Sequence, residues 1–201
     1  MIASILRRVR YGQPIVVVSG LPRSGTSMMM RMLVAGGVPP LVDGVRAADV
    51  SNPNGYFEFE PVKGLDKDGD LSWLPGARGK AVKIISFLLT WLPETYDYRV
   101  VFMHRDLDEV LASQQAMLTR RGEASGEGDA TRTRELYTAH LAQVDRFLTS
   151  RPCFRTLHVH YGEAVADPAS AAARVAALLD RSMDQVAMAQ AVDGSLYRNR
   201  M

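Results

Sequence analysis

Cysteine is almost missing: Cys153 is the single one in 201 residues. One thiol cannot close an internal disulfide, and a chain of this length buries about 70% of its unfolded surface without such a staple. Cysteine use of this kind predicts a reducing, cytoplasmic setting, and no neighbour in sequence marks Cys153 as reactive. Lysine is scarce as well, with Lys63, Lys67, Lys80 and Lys83 standing against 20 arginines. A charge excess is also lacking, since 24 Lys and Arg nearly cancel 22 Asp and Glu to leave +2. That balance argues against a nucleic-acid binder, which carries a basic stripe or patch. No apolar run approaches the ~20 residues of a membrane span. The opening MIASILRRVRYGQP places its arginines after a very short apolar stretch, the reverse of a secretory leader. Hydrophobic residues at 47% and charged residues at 23% are the proportions of an ordinary globular chain, and the length predicts one domain over residues 1–201.

Four β-branched runs stand out: Ile15–Ser19, Ala81–Ser86, Arg99–His104 and Thr156–Tyr161. The first is apolar throughout, as in a strand covered on both faces of a parallel sheet. Helical patterns lie between and after them: Ser27–Ala35 closed by Gly36-Gly37, Asp106–Arg120, Arg132–Leu148, Ala169–Leu179 and Met183–Val192. Strands alternating with helices predict an α/β three-layer sandwich around a mainly parallel central sheet. Two stretches break the pattern. Residues 39–80 carry Pro, Gly and Asp throughout, a length of irregular chain that is usually functional, and Gly122–Gly128 reads as a mobile loop.

Ile15–Ser19 runs into Gly20-Leu-Pro-Arg-Ser-Gly25-Thr-Ser27 and then a helical pattern. Backbone N–H groups in such a loop form an anion nest, and the helix adds its positive end. The Gly20-x4-Gly25 spacing is that of a nucleotide-binding P-loop, yet Thr26 stands where the phosphate-gripping lysine belongs, and the nearest cation is Arg23. After Arg99–His104, Arg105 comes just past the strand, with Ser113 eight residues on in the next helix. An arginine there offers a fixed donor fork to a phosphate, and it could equally partner Asp106 or Asp108.

Leu21-Pro-Arg-Ser-Gly-Thr-Ser27 resembles the 5′-phosphosulfate loop of sulfotransferases that use 3′-phosphoadenosine 5′-phosphosulfate (PAPS), in the Pro-Arg-Ser-Gly-Thr form of their bacterial and protein-tyrosine branches. The resemblance runs in order from Ile15 to Asp167 and implies the P-loop-type sulfotransferase fold. It implies that Arg23, Ser24, Gly25, Thr26 and Ser27 bind the 5′ side of PAPS. By the same resemblance Arg105 and Ser113 bind the 3′-phosphate, Tyr161 lies near the adenine, and Arg198 in the tail adds a late basic contact. Lys83 lies where cytosolic members carry a catalytic lysine, while Ile85 takes the place of their histidine base. Asn52-Pro-Asn-Gly-Tyr-Phe-Glu58 is similar to a segment of the bacterial branch, which makes Glu58 the first candidate base; Asp43 and Glu60 are the others.

Sulfuryl transfer needs a base on the acceptor hydroxyl and cations where charge grows on the leaving oxygen. Arg23 and Lys83 supply the charge, so no metal is required. A lysine inside an apolar strand is costly to bury alone, so Lys83 is expected to face a cleft or a partner. A carboxylate beside the aromatics of residues 56–59 would be partly desolvated, as a base should be. His158 and His160 fall on one face of a strand and His104 ends another, but no cysteine or carboxylate at ligand spacing joins them, so no metal is expected. The expected activity is sulfuryl transfer from PAPS, leaving PAP, to a hydroxyl or amine on a small molecule, glycan or peptide. A P-loop kinase and a non-catalytic PAP-binding module are the alternatives.

Overall fold

Four short strands pair side by side and all run the same way. A computed structural model describes residues 7, 10–44, 57–67, 69–120 and 130–197. The strands are β1 (Ile15–Gly20), β2 (Ala81–Lys83), β3 (Tyr98–His104) and β4 (Phe154–His160), in spatial order β2-β1-β3-β4. The register joins Val18 to both Lys83 and Val101, Gly20 to Met103, and His104 to His160. The carboxyl ends of all four strands therefore lie on one edge. The order reverses between β1 and β3, and a parallel sheet opens a crevice at such a point, outside its carboxyl ends.

Alternation along β1 sorts the core into two halves. Val16 and Val18 face α1 (Thr26–Ala35), α5 (Pro168–Leu179) and α6 (Gln185–Gln190), where Met28, Met29, Met30 and Met32 are buried. Ile15 and Val17 face the other way, onto Val144 and Leu148 of α3 (Ala130–Ser150) and onto Leu88 and Leu89 of the 3-10 helix Ser86–Trp91. The result is an α/β fold of three layers about an all-parallel sheet. Two further helices complete the frame: α2 (Leu107–Arg120) after β3 and α4 (Tyr161–Ala166) after β4. Among the described residues, no helix is long and apolar enough to cross a membrane.

Helix ends follow local chemistry. Gly37, at φ 89°, takes the left-handed position after α1, and Val38 N–H donates to the Leu33 carbonyl at 2.9 Å, which closes the helix at the expected glycine pair. Asp167 accepts from Ser170 N–H at 3.0 Å with Pro168 at the first turn, so α5 starts on a capped end.

Several boundaries differ from the sequence reading by a residue or more, and three segments show why. The run Ala81–Ser86 is strand only to Lys83: Ile84 N–H donates to the Val18 carbonyl, and the chain then turns into the Ser86–Trp91 helix. Apolar character continues through both, so periodicity could not mark the end of the ladder. The fourth strand begins at Phe154, and Tyr161 opens α4 rather than closing the strand. The last helix, expected over 183–192, spans Gln185–Gln190 behind an Asp184 cap. The loop Gly122–Gly128 lies outside the described residues.

Replacing Asp167 by Ala should lower unfolding free energy by about 1 kcal/mol in urea denaturation, while Asp167→Asn should retain most of it. Equal losses in both variants would mean that the cap contributes through charge rather than through its acceptor oxygen.

Candidate functional site

The loop after β1 is shaped by backbone conformations that few side chains tolerate. Gly25, the residue before α1, sits at φ 96°, and a Cβ there would lie 2.3 Å from Tyr161 Cδ2. At Gly20 a Cβ would come within 2.5 Å of the Met103 carbonyl oxygen, so only glycine lets β1 pass this close to β3. Between them Arg23 takes a left-handed φ of 72°. That conformation is strained for a branching side chain and is the kind held in place at ligand clamps. Ser24 is buried, and its Oγ lacks a partner. No side chain caps the start of α1 and no acid stands in its first turn, so the helix presents its positive end to the loop.

Around this loop the two stretches singled out in the sequence, Gly20–Ser27 and Arg105 with Ser113, meet. Arg23 Nε donates to Ser113 Oγ at 3.0 Å. Arg105 Nη1 donates to the Arg23 carbonyl at 3.2 Å, while its Nη2 is buried with no partner. The Arg105 guanidinium also lies 4.9 Å from the Tyr161 ring centroid and 5.3 Å from that of Tyr197. Burial pushes the Tyr161 phenol up, so the ring stays neutral beside the cation. Arg31 lies one turn along α1 from Ser27, and its Nε and Nη1 are likewise buried without partners. Orphaned guanidinium nitrogens, an unpaired buried hydroxyl and a glycine-built nest gather donors with unused hydrogen-bonding capacity, a chemistry that suits an anion.

Arg105 has a partner that the sequence reading did not single out. Its Nε donates to Glu109 Oε2 at 2.8 Å, and Tyr197 OH donates to Glu109 Oε1 at 2.9 Å. Arg105 and Glu109 are 8% and 5% exposed, a buried pair one turn apart. The two acids weighed beforehand do other work: Asp106 Oδ1 accepts from Asp108 N–H at 2.8 Å at the start of α2, and Asp108 pairs with Arg134 of α3. The offset of four between Arg105 and Glu109 was the available signal.

Lys83 ends β2 on the same edge of the sheet, 11% exposed, with Nζ 4.0 Å from Glu58 Oε1. A lysine in an apolar strand thus has the partner its burial cost demands. Lys63 Nζ stands 3.2 Å from the other oxygen of Glu58. The two ammonium groups stabilise negative charge on Glu58, which is 15% exposed. The other two candidate bases lie farther out. Glu60 is exposed and bonds Lys63 at 2.5 Å, and Asp43 Oδ2 accepts the Glu60 backbone N–H at 2.5 Å, holding the start of the 3-10 helix Glu60–Gly64. Of the three carboxylates, Glu58 is the one paired with Lys83. Ile85 is 39% exposed two residues beyond Lys83. Arg198 and residues 52–56 lie outside the described residues.

Cutting Glu109 to Ala should destabilise the fold by about 3–5 kcal/mol, because it strands the Arg105 charge in a buried place, and the double variant Arg105→Met/Glu109→Ala should recover most of the loss. Thermal or urea melts of the unaltered protein, Glu109→Ala, Arg105→Met and the double variant test this; strictly additive losses would show that the two side chains are not coupled. No protein-family model matches the chain, and no curated protein does.

Proposed function

We propose that the chain is a PAPS-dependent sulfotransferase of the P-loop type, acting on a hydroxyl or amine acceptor. The observation that carries this reading is the meeting of the β1 loop with Arg105 and Ser113 at the carboxyl edge, beside a second cation, Lys83, paired with a carboxylate. A nucleotide with phosphates at both ends needs two anchors of this kind, and a P-loop lacking its lysine is a poor kinase loop. The bound donor brings a sulfuryl group attached to its 5′-phosphate, ready for in-line displacement.

The residues then divide the work. The backbone of Ser24–Ser27 and the α1 N-terminus hold the 5′ side. Arg105 and Ser113 take the 3′-phosphate, and Tyr161 offers a face to the base. Glu58 accepts the acceptor's proton as the new O–S or N–S bond forms. The old S–O bond breaks, and Arg23 and Lys83 offset the charge left on the 5′-phosphate oxygen.

Titrating 3′-phosphoadenosine 5′-phosphate (PAP) should raise the melting temperature well above the effect of equal ADP, since only PAP reaches both anchors. Arg105→Lys keeps the charge against Glu109 but loses the bidentate fork, and should cut the PAP preference at least tenfold. Equal responses to PAP and ADP in the unaltered protein would overturn the assignment. With labelled sulfate donor and an acceptor panel, Glu58→Gln should lower kcat at least a hundredfold with PAP binding unchanged. Full turnover in that variant would remove Glu58 as the base.

A further inference from the structure

The segment that follows α6 lies across the Arg105 anchor. Asp193 Oδ1 accepts from Ser195 N–H at 3.0 Å, the 3-10 turn Gly194–Leu196 comes next, and Tyr197 N–H donates to the Gly194 carbonyl at 3.2 Å. Tyr197 packs against the core on the α1 side of the sheet and there meets two parts of the site at once. Its hydroxyl donates to Glu109 Oε1 at 2.9 Å while Arg105 Nε donates to Oε2 at 2.8 Å, so one carboxylate is held by both oxygens. Its ring crosses Tyr161 edge-on, with centroids 4.9 Å apart, and lies 5.3 Å from the Arg105 guanidinium. Gly162, at the start of α4, leaves room for the hydroxyl, since a Cβ there would stand 3.2 Å from it.

We propose that Asp193–Tyr197 is an autoinhibitory strap: Tyr197 holds Glu109 on Arg105 and covers Tyr161, and a nucleotide with a phosphate for Arg105 binds only after the strap has swung away. With the strap in place Tyr161 is 5% exposed, so its ring has no open face for a base. Arg105 is equally enclosed, and its Nη2 is buried without a partner, so donor capacity is present but shut in. The strap lies outside the strands and the long helices, with Asp193, Gly194 and Ser195 exposed, so it moves without breaking the sheet. Opening exchanges contacts. A phosphate takes over the Arg105 fork, Glu109 turns toward solvent, and a base takes the face of Tyr161 that Tyr197 leaves. A closed resting state lowers apparent affinity by the fraction of molecules already open. A hydrogen bond to a charged group shifts such an equilibrium by about tenfold or more. The inference rests on the reading of Arg105 as a phosphate anchor and is independent of sulfuryl transfer.

Inorganic pyrophosphate and PAP are each titrated by calorimetry into the unaltered full-length protein and into Tyr197→Phe. That variant keeps the ring, and with it the packing, but loses the hydroxyl bond to Glu109. It should bind both ligands about tenfold more tightly. In the unaltered protein, hydrogen exchange at the Ser195 and Tyr197 amides should speed up at least tenfold at saturating PAP, as the strap leaves. Equal or weaker binding by Tyr197→Phe would overturn the proposal, and so would exchange that stays the same or slows. Absence of pyrophosphate and PAP binding in both proteins would remove the anchor itself, and the strap with it.

Discussion

Everything at the carboxyl edge depends on how closely β1 and β3 approach where the sheet order reverses. Gly20 lies against the Met103 carbonyl with no room for a Cβ. Because the strands run parallel, the loop after β1, Lys83 at the end of β2 and Arg105 after β3 all lie at the same edge of the sheet. A larger residue at Gly20 would separate the strands and with them the Arg23–Ser113 and Arg105–Arg23 bonds. The chemistry is carried by side chains, but their meeting is a property of backbone spacing.

The cations of this edge are held in different ways. Arg105 donates to the Arg23 carbonyl and Arg23 in turn donates to Ser113, which ties the loop to the end of β3 and to α2. Lys83 instead reaches across to Glu58, on the irregular segment that precedes β2. A ligand touching both would draw that segment and the loop toward a common centre, and such segments are where lids and acceptor-binding walls arise in α/β folds.

The legible parts of the molecule are those written in neighbouring residues. IVVVS followed by two glycines five apart carries the strand, the turn and the start of α1 within thirteen positions, and Gly36-Gly37 marks the end of that helix. The Arg105 to Ser113 offset is a helical spacing and is equally local. Pairings between distant segments were not legible. Nothing near Lys83 in sequence names Glu58, 25 positions away, and His158 meets Asp145 only because α3 folds back over β4. Arg105 stood close to three acids, and local spacing did not choose among Asp106, Asp108 and Glu109; the buried position of Glu109 on α2 did. Strand limits failed for a related reason, since AVKIIS stays apolar through both the ladder and the turn that follows.

The Arg105–Glu109 pair gives the resting anchor a net charge of zero. An anion arriving there meets a carboxylate already seated and tethered one turn away, whose effective concentration is on the order of millimolar or higher. Any anion that binds the Arg105 guanidinium has to share it with Glu109 or displace it.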